Sequence, residues 1–143
     1  MSNALYDQDF HAWAMRQATL LRERKLADAD IDNIAEEIET LARGEHRKLE
    51  KRLKILLTHL LKWRFQPALR GNVWRLTIKQ QRQRTSRHLR DNPSLKANLD
   101  QAIDDAYGAV AIRARRETGQ DQFPPVCRFT FNQIIDDTFW PND

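Results

Sequence analysis

Apolar side chains recur at three- and four-residue intervals along most of this chain, the spacing of helices that bury one face. Tyr6, Phe10, Trp13, Gln17, Leu20 and Leu21 follow it and predict a first helix over about Asp7 to Lys25, its inner face interrupted only by Gln17. Asp28 is an N-cap residue type with further acids in the turns that follow, so a second helix is expected to start there. Its stripe of Ile31, Ile34, Ala35, Ile38, Leu41 and Ala42 continues through Leu49, Leu53, Leu56, Leu57, Leu60 and Trp63 without a breaker before Pro67, which makes this helix unusually long.

A third helix over about Asn72 to Arg90 turns Trp74, Ile78, Gln81, Thr85, His88 and Leu89 to one, half-polar, face. Asn92-Pro93 reads as an N-cap followed by proline at the first helical position of a fourth helix, which ends near Glu117 with Gly119 placed to close it. Its core set is Leu95, Leu99, Ala102, Ile103, Ala106 and Val110. After the proline-marked loop QDQFPPVC, Thr130 is expected to cap a short helix packing Phe131, Ile134, Ile135 and Phe139. The fold class is all-α: a bundle of four main helices plus a short C-terminal helix. No repeat, low-complexity tract or long linker interrupts it, so residues 1–143 are expected to form one domain.

Composition agrees with that pattern and narrows the functional classes. The 143 residues suffice for a core without staples, and 41% apolar with 31% charged residues and only four glycines suits a helical globular chain. One cysteine, Cys127, offers neither a disulfide nor a zinc cluster. With no signal-like start and no membrane-length apolar run, the expected location is the cytoplasm, with no membrane partner.

The segments YDQDFHAWAMRQATLLR, DNIAEEIE, LLTHLLKWRFQP, WRLTIKQQR, NPSLK, AYGAVAIRARRETG and FPPVCRFTFNQIIDD, in that order, resemble DUF29, a group of bacterial proteins of unknown function. The resemblance spans nearly the whole chain. It implies an all-helical bundle and brings no activity, cofactor or catalytic residue with it, so function rests on the residues themselves.

Charge is unevenly laid out. Net charge is only +4, yet Asp28 to Glu39 holds six acids and no base, whereas Lys62 to Arg90 holds nine bases and no acid. Arg75, Lys79, Arg82, Arg87 and Arg90 are read as a basic stripe on the outward face of the third helix. Such a stripe suits a phosphate backbone or an acidic protein, because arginine forks take two oxygens each. The plainer alternative is a solvated face whose arginines pair with Asp100, Asp104 and Asp105.

A second candidate site lies inside the bundle. The turn between the second and third helices centres near Leu69, which puts His88 level with about Glu50. Glu45, His46, Glu50, Thr85 and His88 are thereby candidates for one polar cluster, with Glu45, His46 and His88 as acid/base residues and His46, Glu50 and His88 as metal ligands. No Glu-x-x-His pair or HExxH supports it, and a histidine in a bundle is more often a hydrogen-bonded structural residue. His59 lies off the apolar stripe and is expected to hydrogen-bond across a helix boundary.

Cys127 has no histidine nearby in sequence and Thr85-Ser86 no oxyanion glycine, which sets nucleophilic hydrolysis aside. Trp13, Trp63, Trp74 and Trp140 fall on inward faces and read as core, not as a stacking platform. No cofactor is expected, and a metal is left open only at the histidine cluster. A homodimer through the long second helix is also left open, although four helices and the tail can cover that stripe within one chain. The expected function is a small binding module whose basic helix contacts nucleic acid or an acidic protein. The alternatives are a metal-binding or hydrolytic bundle and a structural homo-oligomer.

Overall fold

The computed structural model describes residues 4–142, and six α-helices and no strand occur among them. They are α1 (Ala4–Gln8), α2 (Phe10–Arg22), α3 (Ile31–Phe65), α4 (Asn72–Asp91), α5 (Leu99–Thr118) and α6 (Phe131–Ile135). The fold is all-α, and α3 is the long helix expected, 35 residues or about 52 Å. Among the described residues no helix is long and apolar enough to cross a membrane. The chain divides into two compact units, the first ending at Glu45 and the second starting at His46.

In the first unit the single expected helix is two. Asp9 leaves helical geometry at φ −148°, and its carboxylate accepts from the Ala12 amide, so the chain stops and is capped again one residue later. Asp28 does not cap α3, which begins at Ile31. Asp30 does the joining: its carboxylate accepts from Trp13 Nε1 at 3.0 Å and from Asn33 Nδ2 at 2.8 Å, and its amide donates to Gln17 Oε1 at 2.7 Å. The apparent flaw in the first helix, Gln17, is thus a buried partner for a turn amide. Tyr6 donates its hydroxyl to Glu37 Oε1 further along the same seam.

The second unit holds the leucine core. Leu49, Leu53, Leu56, Leu57 and Leu60 of α3 are fully buried against Ile78 and Leu89 of α4, Leu99, Ile103, Ala106 and Val110 of α5, and Ile134 of α6. Trp63 is buried and packs on Trp140 with ring centres 4.7 Å apart. Gly119, at φ 67°, takes the left-handed conformation that closes α5, as its position after the last helical turn implied.

Pro93 does not open the fourth long helix directly. Pro93–Asn98 forms a 3-10 segment, and Asn92 makes no capping bond to it because its side-chain amide donates back to the His88 carbonyl. At the C-terminal end the Thr130 hydroxyl accepts from the Gln133 amide while the Gln133 side chain accepts from the Thr130 amide, a complete capping box for α6.

Candidate polyanion-binding face

Twenty residues of α4 contain no acid before the last, Asp91, and spread their arginines and lysine over roughly 200° of the helix. Packing then decides which of them face outward. Thr85, Ile78, Gln81, Arg82, His88 and Leu89 are buried, while Lys79, Arg84, Arg87 and Arg90 are exposed.

Arg82 is the main correction to the sequence reading. It is 1% exposed, and its guanidinium donates from Nε to the Ile134 carbonyl at 2.8 Å and from Nη2 to the carbonyls of Phe139 at 2.8 Å and Gln133 at 3.2 Å. It also lies over the Trp140 ring, 5.4 Å from its centre. At roughly 100° per residue Arg82 sits about 40° from Ile78, on the edge of the core and not opposite it. Two of the carbonyls it meets, Gln133 and Ile134, end α6, where no further helical turn can bond them, and the third, Phe139, lies in the tail beyond it. Burial pulls the guanidinium below its usual value, with Asp137 and Asp136 opposing that shift.

Arg75 is exposed but engaged: Nη1 donates to Asn72 Oδ1 at 3.0 Å and the guanidinium lies 5.5 Å from the Trp63 ring centre. The open set is therefore Lys79, Arg84, Arg87 and Arg90. Among the described residues none of these four enters an ion pair, and Asp100 and Asp104 stay exposed while Asp105 accepts from Gln101. Pairing with α5 acids, the plainer alternative, is not what the geometry shows. Arg52 of α3 adds a neighbour, donating from Nη1 to the Arg84 carbonyl at 3.3 Å. A shallow cleft of about 370 Å³ opens beside α4, lined by Gln83, Ser86, Arg87, Arg90, Ile135 and Asp137 at the edge of Arg82.

The histidine cluster does not assemble as a metal site. His46 Nε2 faces Glu50 Oε1 at 3.9 Å one turn along its own helix, with the His46 side chain 45% exposed, whereas His88 is buried on α4. Glu45 belongs to the first unit. Among the described residues no three His, Cys, Asp or Glu side chains converge at ligand spacing. Thr85 is buried, and its Oγ1 has no hydrogen-bond partner. His59 bonds through Nδ1 to the Ile55 carbonyl at 2.8 Å, one turn back on its own helix and not across a boundary. Cys127 is half-buried, donates to the Phe129 carbonyl at 3.5 Å, and has its thiol pushed up by burial, the reverse of an activated nucleophile.

One feature had no sequence signal. A cleft of about 420 Å³ forms where the loop Asp121–Pro125 meets α3 and α5, with Arg64 and Arg128 beside Phe65, Tyr107, Phe123 and Phe129. Arg115 Nη2 donates to the Phe123 carbonyl at 3.0 Å and the Tyr107 hydroxyl to the Pro124 carbonyl at 2.6 Å, which fixes the loop. These residues are scattered over 65 positions of sequence, so only the folded chain brings them together.

The helical content, with no strand among the described residues, defines an all-α protein. The family model for the domain of unknown function DUF29 matches residues 5–140. The chain belongs to that family, as the order of its motifs indicated. Neither the comparison with curated proteins nor that with solved structures gives a match.

Proposed function

We propose that this chain is a small binding module whose α4 face contacts a polyanion, with nucleic-acid phosphate as the partner class. The observation that supports the reading is a row of four exposed bases, Lys79, Arg84, Arg87 and Arg90, none of them in an ion pair among the described residues, on a helix without an acid before Asp91. Cations left unpaired in this way are free to displace counterions from a phosphate backbone. Arg82 is not part of this contact set, because its donors are already occupied by carbonyls. A cytoplasmic location fits the single unbridged cysteine.

The test is fluorescence anisotropy of labelled random duplex DNA and RNA against the purified chain over about 50 to 200 mM salt. Four phosphate contacts give a log-log slope of about −3.6, which is roughly a hundredfold loss of affinity across that range. The triple variant Arg84→Glu, Arg87→Glu, Arg90→Glu should remove binding while helical content is retained. Flat traces at high protein concentration would retire the nucleic-acid reading, and binding to polyglutamate alone would move the partner class to acidic proteins.

A further inference from the structure

The cleft beneath the Asp121–Pro125 loop lies wholly within the second unit, and none of the exposed α4 bases lines it. At about 420 Å³ it falls among small-molecule sites, which run from about 300 to 1,000 Å³ and combine apolar walls with a few placed polar groups. Its walls are of that kind. Phe65, Phe123 and Phe129 line it together with Tyr107, and the Phe65 and Phe123 rings meet edge-on with centres 5.2 Å apart. Arg64 of α3 and Arg128, just after the loop, line the same space.

The two guanidiniums are the uncommitted donors of this cleft. Among the described residues neither enters an ion pair. Arg64 lies over the Phe65 ring, 5.1 Å from its centre, a stacking that leaves in-plane N–H groups for another partner. The other polar groups are engaged: the Tyr107 hydroxyl donates to the Pro124 carbonyl at 2.6 Å, and Gln122 Nε2 to Gln120 Oε1 at 2.7 Å. Asp121 is the one acid of the lining, and it faces Arg115 Nε at 3.4 Å with its side chain 97% exposed. Two bases and one acid leave a single net positive charge around the cleft.

The space is also set in advance. Tyr107 and Arg115 hold the loop by its Pro124 and Phe123 carbonyls, and Pro124 and Pro125 stiffen it, so a ligand costs little ordering. The lining brings no histidine, cysteine or free hydroxyl, which suits a site that holds a ligand and leaves it unchanged.

We propose that this cleft binds a small aromatic carboxylate, its ring among Phe65, Phe123 and Phe129 and its carboxylate on the Arg64 and Arg128 forks. Aromatic walls favour a flat apolar body, because rings gain from stacked and edge-on contacts. Arginine forks favour a planar acceptor that takes two donors at once. The single net charge matches a monoanion and not a phosphate dianion. The site stands apart from the polyanion reading of α4 and shares no residue with it.

Titration of the 15N-labelled full chain with 1-naphthoate, followed by amide correlation spectra, tests this. At the usual affinity per non-hydrogen atom, a probe of that size is held with a dissociation constant of roughly 1 mM or below, so a series to about 10 mM reaches saturation. The expected shifts are saturable and centre on Leu61, Phe65, Tyr107 and residues 121–129. Arg64→Gln and Arg128→Gln should each weaken binding about tenfold, and so should replacing the probe by uncharged 1-naphthalenemethanol. Arg84→Gln with Arg87→Gln should leave the constant within about twofold, which separates this cleft from the α4 face. Arg64 is half-buried and Arg128 exposed, so neither substitution empties the core, and the same spectra report the fold of each variant. An absence of saturable shifts at these residues, equal binding of the alcohol, or undiminished binding when both arginines are replaced overturns the proposal. Binding of 1-naphthyl phosphate about tenfold tighter than 1-naphthoate overturns the carboxylate class.

Discussion

Replacing Arg82 with methionine removes a fork that holds three carbonyls at 2.8, 2.8 and 3.2 Å while keeping most of the side chain's apolar length. Hydrogen bonds from a charged donor contribute about 1.5 to 3 kcal/mol each, and the longest contact here falls at or below that range. Against a gross loss of about 5 kcal/mol stands the relief of no longer desolvating a guanidinium, since burying a charge is itself unfavourable. The net expectation is a loss of about 3 kcal/mol for Arg82→Met. Lysine keeps the charge but has one nitrogen and no fork, so Arg82→Lys should lose about 2 kcal/mol. Urea denaturation followed by circular dichroism reads this as a lower midpoint at unchanged slope, and thermal unfolding as a drop of roughly 6 to 12 °C for the methionine variant. Arg87→Met, one and a half turns along the same helix but exposed, should change stability by less than about 0.5 kcal/mol. A loss below about 1 kcal/mol for Arg82→Met, or an equal loss for Arg87→Met, would refute the assignment of Arg82 as the clasp of α6.

Other expectations follow from single groups. The Tyr6 hydroxyl, held by Glu37, is pushed up to about 12 from 10, so the proton it keeps stabilises the folded state fully below pH 10 and that contribution is lost as pH rises towards 12; absorbance at 295 nm should show both tyrosines ionising late, since burial also raises Tyr107, with the Tyr6 transition alone shifted back towards 10 in Glu37→Gln. Thr85→Val replaces a buried hydroxyl that has no partner with a methyl of the same shape and should be neutral or raise stability by up to about 1 kcal/mol in urea melts. Cys127 should react with iodoacetamide more slowly than a free thiol at pH 8, because burial holds its thiol up, and should reach the free-thiol rate in urea.

Much of the fold was legible because the second unit obeys its pattern: Leu49 through Leu60 recur at helical spacing and all reach the core, and Gly119 ends its helix where a left-handed residue is needed. Two kinds of feature were not. Helix interruptions at Asp9 and Pro93 depend on local capping competition, where a carboxylate or an amide finds a nearer backbone partner than the helical pattern supplies. The destinations of long side chains depend on tertiary partners far along the chain. Arg82 looks like its basic neighbours until the ends of α6 and the tail are placed against it, and Gln17 looks like a defect until the Asp30 amide arrives. The same limit hid the exposure of Ile31, Ile38 and Leu41, because periodicity marks a side as apolar and does not say what, if anything, covers it. The candidate site was legible in outline, a basic α4, but its membership was decided by about 60° of helix rotation.

The Arg82 clasp also carries a consequence for the order of folding. Its bonds close loops of 51 to 57 residues, and the acceptors are among the last stretches of this sequence to be synthesised. Local helices form in microseconds or less, while contacts of such separation must first overcome the entropy of a long loop. During vectorial synthesis the α3–α5 core is available well before Phe139 emerges, so for that interval the guanidinium has a half-built pocket and no carbonyls to fill it. The contact that seals the charge is then made only after the α3–α5 core, and a nascent chain paused before residue 139 would carry an open slot beside α4 where the folded chain has Arg82 bonded to the Phe139 carbonyl.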